Sequence, residues 1–177
     1  MKNHLLKKLW LATFFFSLVL VFSFSLWAKG EPEVKESYTG HVERIIDGDT
    51  VSILTTDYER LRVRLYGIDA PEGGQDWGDE SRDALSDMVS GRLVKIEIED
   101  IDRYNRMVAT IIFNDELINH KMVAAGHAWV YDRYCIRKDI CQPMKEAERI
   151  AKENGMGLWF DPEAMPPWEF RSSKRKK

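Results

Sequence analysis

A small Greek-key β-barrel carrying added helices, of the α+β class, is the fold this sequence predicts, and three observations carry the prediction. Five short segments between positions 38 and 113 have the alternation and residue types of strands. A helical segment interrupts them after the third, and two more helical segments follow the fifth.

Tyr38 to Ile46 reads as the first strand and Thr50 to Thr55 as the second. The third, Arg60 to Gly67, alternates, with Leu61, Val63 and Leu65 on one side and Arg62, Arg64 and Tyr66 on the other. A turn at 56–59 joins the second and third strands, and antiparallel pairing about it places Leu54 near Leu61 and Thr50 near Leu65. A helix is expected over about 78–89, with Leu85, Met88 and Val89 as its apolar stripe and Gly91 as its stop. The fourth strand, Leu93 to Glu99, turns Val94, Ile96 and Ile98 inward, and Met107 to Phe113 makes the fifth. Helices over about 115–125, with Ile118, Met122 and Ala125, and about 142–154, with Met144, Ala147 and Ala151, complete the domain. Five strands with helices in these places suit a barrel of the OB type, with an open α+β sheet as the alternative.

The first 28 residues stand apart. Lys2, Lys7 and Lys8 precede an uncharged, mostly apolar run from Leu9 to Ala28, long enough as a helix (roughly 30 Å) to cross a bilayer. This reads as an export signal, either cleaved or retained as an anchor; Ala28 suits a cleavage site and Leu26 does not. The domain is therefore expected outside the cytoplasm, secreted, periplasmic or held to the membrane through residues 9–28. Residues 29–37 read as a linker, 38–171 as the domain, and 172–177 as a basic tail, disordered past Arg171.

Removing the leader's three lysines leaves 23 of the 26 basic residues against 29 acidic ones, a formal charge of −6. That argues against a broad basic surface, so any grip on a polyanion must come from local arginines. Cys135 and Cys141 show no zinc-binding pattern; in an oxidising compartment they read as a local disulfide, with two free thiols as the alternative. His41, His120 and His127 form no ligand spacing.

The chemistry gathers at "IIDGDTVSIL". Asp47-Gly48-Asp49 is either a plain turn or part of a site. The hairpin of strands two and three carries Asp49 to the end where the chain leaves into "GIDAPE", so that Asp69 and Glu72 come near it and Arg64 lies close by on the third strand. Several carboxylates in one place repel, and a bound cation relieves that cost; oxygen ligands select hard ions such as Ca²⁺ or Mg²⁺. In "DIDRYNRMVATI", Tyr104 and Arg106 lie on a polar turn, where the arginine is either a plain surface residue or a second fork for a phosphate.

The stretches "VERIIDGDTVSI", "VRLYGIDAPE", "DRYNRMVATI", "LINHKMVAAGHAWVY" and "GLWFDPEAMPPWEFR", in this order, resemble the staphylococcal nuclease (thermonuclease) family from about Gly40 to Arg171. The resemblance implies an OB-fold barrel and a Ca²⁺-dependent phosphodiesterase that acts on DNA and RNA and leaves a 3′-phosphate; the catalytic domain is expected to be monomeric. It implies Asp49, Asp69 and the backbone carbonyl of Ala70 as ligands of one Ca²⁺, with Asp47 near the metal but not on it. Glu72 would be the general base or water-orienting group, and Arg64 and Arg106 would bind the scissile phosphate. Tyr104 would touch the nucleotide, and Tyr131 and Tyr134 are both eligible to stack on a base. Two positions depart from the family's pattern. Ala70 replaces a hydroxyl residue, which a carbonyl ligand survives. Asn105 replaces a glycine, and asparagine is the substitute that best tolerates left-handed backbone. A non-catalytic OB module binding nucleic acid or protein at the cell envelope is the rival reading; the intact set of charged positions speaks against it.

Overall fold

Alternating apolar positions close five strands into a barrel in the computed structural model, which describes residues 36–175. The expected leader, the expected linker up to residue 35, and positions 176 and 177 lie outside the described residues. The elements run β1 (Ser37–Asp47), β2 (Thr50–Thr55), β3 (Arg60–Leu65), β4 (Ile68–Asp69), α1 (Gly78–Val89), β5 (Leu93–Ile101), β6 (Met107–Phe113), β7 (Glu116–Leu117), α2 (Ile118–Ala124), β8 (Trp129–Val130), α3 (Lys138–Glu153), a 3-10 turn (Gly157–Phe160) and α4 (Pro167–Lys174). Among the described residues no helix is long and apolar enough to cross a membrane.

The sheet order is β3-β2-β1-β5-β6-β7. β1 is long because it serves two neighbours: residues 37–41 pair with β5 and residues 40–47 with β2. Register shifts after Val42 and Ile45 bend it between them. Parallel pairing of β3 with β6, Val63 opposite Met107 and Arg64 opposite Val108, closes the barrel. Val51, Ile53, Val63, Leu65, Ile96 and Ile111 fill the interior without solvent contact, and Leu85 and Val89 of α1 extend that core. The closing seam is stitched by one buried amide. Asn119 Oδ1 accepts the Ile111 N–H at 3.0 Å, and its Nδ2 donates to the carbonyls of Tyr66 at 2.9 Å and Ala109 at 3.2 Å.

Several expectations need correction. The β2–β3 register is one residue away from the expected one: Thr50 faces Arg64 and Leu54 faces Arg60. Tyr58 takes a left-handed conformation (φ 65°), and the turn it makes shortens the loop. Tyr66 is buried rather than on the polar face, its hydroxyl accepting the N–H groups of Ile136 at 2.8 Å and Arg137 at 3.0 Å. α2 starts at Ile118 instead of 115, because Asn114 and Asp115 form a left-handed turn into β7. α3 starts at Lys138, four residues before the expected point. Pro143 is its sixth residue rather than part of its first turn, at the loss of one helical hydrogen bond. α4 is a fourth helix beyond the three expected, and it runs through Lys174 into the span read as a tail. The expected disulfide, by contrast, is present: Cys135 and Cys141 are joined, which ties the loop after β8 to the first turn of α3.

Candidate active site

The turn between β1 and β2 is where charge collects. Asp47 and Thr50 face each other across it, and Asp47 Oδ1 accepts the Asp49 N–H at 3.0 Å, the local bond that favours aspartate in turns. Gly48 is required by packing: a Cβ there would lie 1.9 Å from Ser81 Oγ on α1 and 2.8 Å from the Ala70 Cβ. Ser81 Oγ in turn donates to the carbonyl of His127 at 2.7 Å, so the turn is seated on an occupied surface. The interrupted strand is thus both a turn and the cradle of a site.

β3 supplies Arg64 directly opposite Thr50, and the Leu65 N–H bonds the Asp49 carbonyl at 2.8 Å. β4, pinned to β8, supplies Asp69. The Arg64 guanidinium spans the two acids, Nη1 to Asp49 Oδ1 at 2.6 Å and Nη2 to Asp69 Oδ1 at 2.7 Å. Side-chain exposure is 18% for Arg64, 4% for Asp49 and 0% for Asp69, so these charges meet almost without water. The Ala70 N–H and Thr50 Oγ1 both donate to Asp49, each at 2.9 Å.

The electrostatics follow from that burial. Desolvation, with the Asp49 charge added, pushes the Asp47 carboxyl up to about 7. Burial also pushes Asp69 up, against the pull of its arginine partners. For Arg64 burial works against the charge, but Asp49 and Asp69 more than offset it, and its pKa stands above the ordinary arginine value.

Arg106 is held apart from these acids. It immediately precedes β6, whose Met107 pairs with Val63, so it belongs to the same end of the barrel as Arg64. Its Nε and Nη2 both bond Asp102 Oδ2 at 2.7 Å, while Asp102 Oδ1 accepts the N–H groups of Tyr104 and Arg106. Burial raises the Asp102 pKa, but these donors outweigh it and hold the carboxylate below its usual range. Asn105 has a φ of 58°, the left-handed geometry expected where the family has glycine. Tyr104 is exposed, with Arg103 and Arg106 over its ring. Tyr131 is stacked on Trp168 of α4, ring centres 5.2 Å apart and planes 9° apart, and meets Tyr134 edge-on. Tyr134 is the more exposed of the two.

Two side chains escaped the sequence reading. Asp102 orients Arg106, and Arg171 of α4 bonds both Asp69 and Glu72. Trp168 and Arg171 are three apart on a helix opened by Pro166-Pro167, and that one-face spacing was the available signal.

The donor set fits a hard divalent cation in its chemistry: buried carboxylates of Asp49 and Asp69 converge from two elements, beside the peptide of Ala70. Three carboxyls, Asp49, Asp69 and Glu72, are bonded to two guanidiniums, and Asp47 lies beside Asp49. Among the described residues no group of three or more His, Cys, Asp or Glu side chains is arranged to hold a metal.

Residues 62–161 match the family described as staphylococcal nuclease homologue. That span contains Arg64, Asp69, Glu72 and Arg106, while Asp49 precedes it and Arg171 follows it. The chain is 39% identical over 162 residues to "Protein ParB" of Escherichia coli, covering 86% of this chain and 85% of that protein. It is 34% identical over 168 residues to "Micrococcal nuclease" of Shigella flexneri, covering 90% of each. An "Uncharacterized endonuclease" of Escherichia coli is 38% identical over 136 residues, covering 76% of this chain and 86% of that protein.

Proposed function

The chain belongs to the staphylococcal nuclease family and is a nuclease, and on that premise we propose that it is an exported, Ca²⁺-dependent endonuclease that hydrolyses DNA or RNA to 3′-phosphate ends. The observation that carries the cation reading is the convergence of Asp49 and Asp69, nearly free of solvent, on one guanidinium. Asp49, Asp69 and the Ala70 carbonyl would hold the ion. When bound, a Ca²⁺ there supplies Lewis-acid polarisation of a phosphate oxygen.

The chain's own residues do the rest. Arg64 commits three of its five N–H donors to Asp49, Asp69 and the Ile68 carbonyl, which fixes the plane of its fork for an equatorial phosphate oxygen. Asp102 fixes Arg106 in the same way, so a second fork approaches without first losing rotamer freedom. Glu72, more exposed than the two aspartates, orients or deprotonates the attacking water. Tyr104 and Tyr134 offer exposed rings to the nucleotide. The charge of −6 outside the leader favours a local grip on substrate over wide polyanion binding. A site with two carboxylate ligands would bind Ca²⁺ weakly, in the range of roughly 10⁻⁴ to 10⁻³ M, which suits a calcium-rich extracytoplasmic setting.

The test is release of acid-soluble nucleotides from DNA and from RNA by the full-length chain, in millimolar Ca²⁺ and in chelator, with the product ends identified. Release that requires Ca²⁺ and leaves 3′-phosphates is expected. Equal release in chelator would reject the cation requirement, and no release from either polymer would favour the non-catalytic binding module.

A further inference from the structure

Arg171 sits on the carboxylates that a cation would need. Its Nη2 bonds Asp69 Oδ2 at 2.7 Å, and its Nη1 bonds Asp69 Oδ1 at 3.1 Å and Glu72 Oε1 at 2.5 Å. Since Arg64 also bonds Asp69 Oδ1, both oxygens of this fully buried carboxylate are committed to guanidiniums. An ion ligated by Asp69 therefore meets positive charge already in place, and one of the two arginines must yield.

The arginines are unequal in this respect. Arg64 lies on a barrel strand and is locked between Asp49, Asp69 and the Ile68 carbonyl. Arg171 reaches in from α4 with 34% of its side chain exposed. Its helix is anchored by other contacts, the stack of Trp168 on Tyr131 and a 2.6 Å bond from Gln75 Nε2 to the Met165 carbonyl. Withdrawing Arg171 thus needs only rotation of a long side chain into solvent while α4 stays docked. Removing it leaves Asp69 still bonded to Arg64.

We propose that Arg171 is a displaceable counter-ion of the cation site: it neutralises Asp69 and Glu72 until a divalent ion takes its place, and so sets the ion concentration at which the site fills. The inference rests on the Ca²⁺ reading above. Competition for one carboxylate is mutual, so whatever Arg171 gains from Asp69 and Glu72 is subtracted from the affinity for the ion. A partly exposed, forked ion pair of this kind corresponds to about tenfold in that affinity.

The test is calorimetric titration of the full-length chain with CaCl₂ in the absence of nucleic acid. Arg171→Gln is expected to bind Ca²⁺ about tenfold more tightly than the wild type, with Arg171→Lys between them because lysine keeps the charge and loses the fork. Equal or weaker affinity in Arg171→Gln overturns the proposal while leaving the Ca²⁺ reading in place. No Ca²⁺ binding by wild type or variant overturns both. Circular dichroism checks the fold. Should Arg171→Gln fail to fold, Arg171→Lys decides: tighter binding supports the proposal, and unchanged or weaker binding overturns it.

Discussion

Arg64 and Arg149 each grip two carboxylates, yet they have different work in the molecule. Arg149, on α3, bonds Glu146 at 2.6 Å and also holds Glu153, with 53% of its side chain in water and partners equally exposed. Arg64 makes contacts of the same length inside the barrel end. The geometry of an ion pair therefore says little about its worth; solvent decides it. Water stands ready to replace any partner that Arg149 loses. It has no such access to Asp49 and Asp69; the burial of Asp49 therefore depends on Arg64, while that of Asp69 is shared between Arg64 and Arg171.

The sharpest way to break this comparison is Arg64→Ala, which leaves buried Asp49 without its guanidinium and Asp69 with Arg171 alone. We expect a loss of about 3 to 5 kcal/mol of folding stability in Ca²⁺-free urea denaturation, together with loss of nuclease activity. A change no larger than that of a surface substitution would show that water reaches the cluster. Asn119→Ala asks whether burial alone suffices without charge. It takes the Asn119 partner from the Ile111 N–H and the Tyr66 carbonyl, while the Ala109 carbonyl still accepts the Tyr66 N–H at 2.7 Å, for an expected cost of about 1 to 3 kcal/mol in the same experiment. Arg149→Ala is the opposite pole: no resolvable change in urea midpoint is expected, at low or high salt.

The smallest effect concerns pH. Burial lowers the pKa of His127 below its ordinary 6.5, with Glu80 pulling weakly the other way. The folded state then binds fewer protons than the unfolded one, so stability is full above pH 6.5 and declines as pH falls below it. Asp47, raised to about 7, acts in the opposite sense over the same window and is common to both proteins, so the change in melting temperature from pH 7.5 to 5.5 should be less favourable in wild type than in His127→Gln. Parallel profiles would remove His127 as a contributor.

Much of the barrel was readable because its cause is local. β2, α1 and β6 have the expected limits, since alternation and a helical stripe act within a few residues. The register of β2 against β3 was not readable, because it depends on the left-handed turn residue Tyr58, a type that seldom takes that geometry. The β3–β6 closure joins segments more than forty residues apart, and no periodicity announces it. The same division runs through the site. Asp49, Arg64 and Asp69 are gathered by one hairpin end and could be placed together by pairing strands. Arg171 lies 102 residues from Asp69, and its arrival depends on where α4 docks.

Tyr66 extends the lesson to a different kind of durability. Its hydroxyl receives the amides of Ile136 and Arg137, just beyond the Cys135 bridge, although Ile136 as a residue is 80% exposed. A protease must draw several residues of main chain into its cleft as an extended strip, and here the strip is fastened from beneath. An anchored backbone under a bare surface is expected to slow cleavage in this loop with no need of a covering layer.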